Sequence, residues 1–144
     1  MAVKAIYIDT STFLRACLAD ANDHLPAFGL LNNAGKPLVS SELLWLEADR
    51  AAIRLARQKP DLATLPQQVT AALMRVGMIP ITRAIINEAR QNNQIVKSLD
   101  AIHIATAESL GAEIKHVVTY DKTMTAVLRE RGSNPVTASE AVNA

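Results

Sequence analysis

The stretch AIYIDTS, Ala5 to Ser11, frames the reading of the whole chain. The apolar run Val3 to Ile8 reads as a buried strand. It ends on a carboxylate, Asp9, with the hydroxyls of Thr10 and Ser11 directly behind it. Asp9 either caps the helix that follows or opens a metal site, and the residues further along the chain have to choose.

Outward from that stretch, strand-like and helical runs alternate. Ser11 to Asp20 reads as a short helix and Asn22 to Pro37 as a polar loop containing Pro and Gly. Leu38 to Ser40 is a second brief strand. Ser41 is placed to cap a long helix through Gln58, with Glu42 in its first turn, where the helix dipole favours an acid. Pro60 stops that helix, and a helical arm follows at about 60–76. Gly77 to Ile81 is a third strand, and Thr82 caps the helix RAIINEARQN. Leu99 to Leu110 is a helix ended by Gly111, Lys115 to Tyr120 a fourth strand, DKTMTAVLRERG the last helix, and PVT a fifth, edge strand. The alternation predicts an α/β fold in one domain over 1–144: a mostly parallel sheet of four to five strands with helices on both faces.

Composition is consistent with this. The 144 residues suffice for one core, and 49% hydrophobic with 20% charged residues fits a globular protein rather than a disordered one. Aromatics make up 3%, so Ala, Leu, Ile and Val must fill the core and little base stacking is on offer. A lone cysteine, Cys17, permits no intrachain disulfide and no Cys-rich zinc site, which suits a reducing cytoplasm. The first apolar run is too short for a secretory signal, being cut at Asp9. No run approaches the ~18 apolar residues of a membrane helix. A net charge of +1 leaves any nucleic-acid contact to a local patch.

Open α/β sheets gather function at the carboxyl edge of their strands. Asp9 follows the first strand and Asp121 the fourth, so two strands deliver carboxylates to one edge. Asp100 lies on a helical stripe with Ile104, Ala107 and Gly111, where an acid is costly unless compensated. Glu47 borders the stripe of Leu44, Ala48, Ala51 and Leu55, with Arg50 and Arg54 on its flank. Each acid taken singly has a plainer account as a cap, a turn residue or a surface ion pair. Convergence is what those accounts leave out. Carboxylates ~5 Å apart repel by ~3 kcal/mol at an effective dielectric of 20, so a cluster needs a cation. An oxygen-only donor set favours Mg²⁺ or Mn²⁺ over zinc.

The segments IYIDTS, SSELLWLEADR, LDAIHIATA and VVTYD, in this order, resemble the PIN-domain family, in particular the VapC-type toxins of bacterial toxin–antitoxin pairs, over about residues 3–132. The resemblance implies a three-layer α/β/α sandwich and a Mg²⁺- or Mn²⁺-dependent endoribonuclease with a cognate antitoxin, as a homodimer. It places the catalytic and metal-binding acids at Asp9, Glu47, Asp100 and Asp121. Ser11 and Thr119 become supporting hydroxyls, and Ser41, Glu47 and Arg50 match a family spacing. Arg50 and Arg54 are then candidates for holding substrate phosphates. Hydrolysis would leave a 5′-phosphate and a 3′-hydroxyl. His103 invites a role as general acid, but metal-bound water needs no imidazole, so it is expected to be a packed helix histidine; Trp45 is either peripheral core or a dimer or antitoxin contact.

The rival reading is a non-catalytic PIN-like module that binds RNA or protein. Other acidic α/β classes fit poorly. A haloacid-dehalogenase-type phosphatase needs a second Asp where Ser11 stands, and a receiver domain needs an Asp where Thr82 ends the third strand.

Overall fold

A computed structural model describes residues 3–32 and 35–143. Asn33 and Ala34 of the expected loop, and the outermost residues of the expected 1–144 domain, lie outside the described residues. Strand β1 (Ala5–Ile8) leads into α1 (Thr10–Cys17) and α2 (His24–Asn32), then β2 (Leu38–Ser41) and the long α3 (Leu43–Gln58). A 3-10 turn at Pro60–Leu62 precedes α4 (Leu65–Leu73), followed by β3 (Val76–Ile79), α5 (Arg83–Gln91) and α6 (Ser98–Leu110). The chain closes with β4 (Ile114–Val118), α7 (Lys122–Glu130) and α8 (Ala138–Val142). The four strands are parallel and ordered β3-β2-β1-β4.

Strand alternation divides the core into two layers. Ile6 and Ile8 of β1 and Val118 of β4 pack into a cluster with Phe13 of α1, Leu44 of α3 and Val69 of α4. Val117, one residue earlier on β4, packs instead with Ile104 of α6 and Met124, Val127 and Leu128 of α7. Successive strand side chains point to opposite faces, so the sheet lies between two helical layers. This is the expected α/β/α sandwich. Among the described residues the fifth strand is a single bridge, Val118 to Val136.

Two helices depart from the sequence reading. The segment read as a polar loop contains α2, because Pro26 falls in its first turn, where a missing N–H costs nothing. The C-terminal α8 carries a capping box in which Thr137 and Glu140 satisfy each other's backbone donors. The helix expected as an arm is α4, whose Leu65, Val69 and Leu73 are buried in the main cluster. Glu42 precedes α3 rather than entering it, and its carboxylate accepts from the Ile81 backbone N–H at 2.7 Å. Ser41 Oγ accepts from the Leu43 N–H, and Thr82 caps α5 as expected. Gly111 ends α6 at φ 51°, a left-handed conformation glycine adopts without strain.

Leu44 is fully buried on α3, and Leu46, two residues on, is 61% exposed. Leu44→Ala should cost about 2–5 kcal/mol and Leu46→Ala within about 0.5 kcal/mol, measured as a change in urea midpoint at constant slope.

Candidate functional site

Chain direction locates the site. From β1 the sheet grows through β2 to β3, then the chain crosses back to lay β4 on the other side of β1. Such a reversal opens a crevice at the carboxyl ends of the two strands where it occurs. Ile8 pairs with Val118, so β1 and β4 end level, and the segments Asp9–Ser11 and Thr119–Asp121 leave the sheet side by side.

Asp9 is buried at that seam, 4% exposed. Oδ1 accepts from Ser11 Oγ at 2.7 Å and from the Thr12 backbone N–H at 3.1 Å, and Oδ2 accepts from Thr119 Oγ1 at 2.5 Å. The N-cap role and the place in the cluster therefore coexist. Thr119 Oγ1 also accepts the Asp121 N–H at 3.1 Å, and Ser11 Oγ accepts the Tyr120 N–H at 3.0 Å. Asp121 caps α7 through Met124 N–H at 2.7 Å. The two hydroxyls singled out from sequence thus bind the two loops together.

Glu47 reaches the same place from α3. Its Oε1 accepts from Thr10 Oγ1 at 2.6 Å and lies 2.8 Å from His103 Nε2. Burial opposes its charge, but the hydrogen bonds from His103 and Thr10 outweigh it and hold the carboxyl below its usual range. Asp100 lies one helical turn before His103 on α6, in a first turn whose N-cap, Lys97, makes no side-chain cap. It accepts no hydrogen bond from a described residue. Burial first, then the charges of Asp121, Asp9 and Glu47, push its pKa up against an opposing contribution from His103. The structure thus brings all four acids into one electrostatic neighbourhood. Among the described residues, no three His, Cys, Asp or Glu side chains are closed into a metal-holding group. Arg50 and Arg54 are exposed and make no ion pair with a described residue.

Three residues to which the sequence reading gave no part in the site take part in its hydrogen bonds. Thr10 is one, the residue directly after Asp9. Tyr7 is fully buried on the face of β1 opposite Ile6 and Ile8, with its oxygen 2.7 Å from His103 Nδ1. His103 is packed as expected, 2% exposed, yet bonded through both ring nitrogens. The signals were present: a phenol in an otherwise aliphatic strand, two residues before Asp9, and an imidazole three residues after Asp100.

The family model of the PIN domain matches residues 6–129. The chain belongs to the PIN-domain family. No curated protein sequence matches it. Among solved structures, this PIN domain is similar to the crystal structure of Mycobacterium tuberculosis VapC20, a toxin that cleaves the sarcin-ricin loop. The TM-score is 0.64 at 18% identity, covering 92% of this chain and 99% of that one. At that identity the likeness establishes a shared fold.

The acid set of this PIN domain fits a hard divalent cation. Its donors are carboxylate oxygens, and the charge that three of them place on Asp100 is what such an ion would offset. Because Asp100's folded-state pKa is raised, its ionisation disfavours the folded state. That penalty is absent below the ordinary Asp pKa and grows as pH rises through the folded value. Asp100→Asn should therefore melt higher than wild type in EDTA at neutral pH, and the gap should close on acidification below the ordinary Asp pKa. Calorimetry across pH measures both.

Proposed function

We propose that this PIN domain is a metal-dependent endoribonuclease, the toxin of a toxin–antitoxin pair. What carries the reading is that Asp9 and Asp121 leave the adjoining ends of β1 and β4 tied through Thr119, Glu47 is tied to the residue after Asp9, and the charges of all three acids act on Asp100. Family membership and the likeness to VapC20 support RNA as the substrate class.

In this reading the four acids would hold Mg²⁺ or Mn²⁺. When bound, such an ion supplies Lewis acidity that activates water and offsets charge developing on phosphoryl oxygens. The chain's own residues do the remainder. Asp9, fixed by Ser11, Thr12 and Thr119, keeps one carboxylate in a set orientation. Asp100 and Asp121, with fewer protein donors, are free to adjust to the cation. Arg50 and Arg54, exposed on the helix that carries Glu47, hold substrate phosphates by charge and shape, in keeping with the scarcity of aromatics for stacking. Hydrolysis leaves a 5′-phosphate and a 3′-hydroxyl. The same reading gives the domain an antitoxin partner, a homodimeric state and a cytoplasmic place of action. Trp45, 45% exposed on α3, is a candidate contact for the dimer or the antitoxin. No helix among the described residues is long and apolar enough to cross a membrane.

Purified protein should cut total RNA in Mg²⁺ or Mn²⁺ and not in EDTA. Asp9→Ala should lose more than the roughly 10–100-fold typical of removing a supporting partner. Equal cutting in all three conditions would mean a contaminant, and no cutting in any of them would favour the binding-module rival. A second measurement isolates the arginines. For single strands, log K falls against log salt with a slope of about −0.7 per phosphate contact. The Arg50→Ala, Arg54→Ala double variant should therefore bind RNA with a slope shallower by about 1.4.

A further inference from the structure

Tyr7 and His103 form a buried line of hydrogen bonds that ends on Glu47, and its direction can be assigned from its two ends. At one end, the Ser41 backbone N–H donates to the Tyr7 oxygen at 3.1 Å. A tyrosine hydroxyl is protonated at neutral pH, so it has one proton to place. The Ser40 Oγ also lies close to the Tyr7 oxygen but completes no hydrogen bond of its own, so the short 2.7 Å contact to His103 Nδ1 takes the proton. At the other end, an ionised carboxylate can only accept, so the hydrogen in the 2.8 Å contact between His103 Nε2 and Glu47 Oε1 sits on nitrogen. For a neutral ring both ends select the same tautomer, Nδ1 bare and Nε2 protonated.

We propose that Tyr7 and His103 are positioning residues for Glu47. The line Ser41 N–H to Tyr7 O–H to His103 Nε2–H runs one way across β2, β1 and α6 and meets α3 at Oε1, which Thr10 Oγ1 also holds. Oε2 is left without a hydrogen-bond donor among the described residues. Pinning one oxygen with two donors fixes the carboxylate plane and presents the other for a cation. This deepens the nuclease reading and rests on it. Hydrogen-bonded supports of ligating carboxylates typically matter 10–100-fold in metal affinity.

Two measurements test it without turnover. In ¹⁵N-labelled wild-type protein in EDTA, long-range ¹H–¹⁵N imidazole correlations should show His103 as the Nε2–H tautomer with Nδ1 unprotonated. The Nδ1–H tautomer would overturn the relay whether or not any variant folds. In calorimetric titrations with Mn²⁺ alone, Tyr7→Phe and His103→Ala should bind about 10–100-fold more weakly than wild type. His103→Gln, whose amide N–H can replace Nε2–H, should recover most of that loss. Near-wild-type affinity in Tyr7→Phe, beside a clear loss in Glu47→Gln, would discard the positioning role and leave the metal site standing. Absence of Mn²⁺ binding by the wild type would instead remove the nuclease reading, and the relay's purpose with it.

Discussion

Burying a carboxylate at the seam of two strands is tolerable only when its lone pairs are met by donors. Asp9 satisfies that condition with three donors from two chain segments, and much of the site's geometry follows from the same bonds. Thr12 N–H begins α1. The Ser11 hydroxyl, once it donates to Asp9, offers its oxygen to Tyr120 N–H. The Thr119 hydroxyl likewise offers its oxygen to Asp121 N–H, and so sets the carboxylate that begins α7. The structural account of Asp9 as a cap and the functional account as a ligand are therefore one arrangement. The bonds that start two helices also hold two acids near each other.

That economy has a cost, and it falls on Asp100. Its neighbours are stabilised by hydrogen bonds, while it receives their charge without a donor of its own. A fold optimised for stability alone would replace it with a neutral residue. Functional sites commonly retain such locally unfavourable groups, and stability yields there to activity. The dipole of α6 favours an acid in its first turn, yet burial and the neighbouring acids still push the Asp100 pKa up, and on the proposed nuclease reading a cation is what relieves that tension.

Sequence made the sheet legible because short apolar runs alternating with helices leave few topologies, and right-handed crossovers leave fewer. Asp9 and Asp121 were legible for the same reason: a parallel strand fixes which end its following residue occupies. Helix α2 was not, since Pro26 and Gly29 inside a short segment look like loop signals until the first-turn position of the proline is known. Helix α8 could have been found from the spacing of Thr137 and Glu140. The Tyr7–His103 contact spans 96 residues and the His103–Glu47 contact 56, so no local pattern encodes either. Such contacts depend on which strand face meets which helix, and that is decided by packing.

The hydrogen bonds also rank the acids by how much of each oxygen is still available. An ionised carboxylate has about four acceptor positions. Asp9 has committed three, across both oxygens. Glu47 has committed two, both on Oε1, and Asp121 one, on Oδ1. Asp100 has committed none to a described residue. On the proposed nuclease reading this is a division of labour. Asp9 defines where a cation sits but can offer little more than a single lone pair, so its orientation matters more than its charge. Asp100 and Asp121, half-buried but with most of their lone pairs unclaimed, would complete the shell of such an ion. Glu47 stands between, one oxygen claimed by the fold and one released. Its behaviour is therefore set less by its own helix than by the phenol and imidazole behind it.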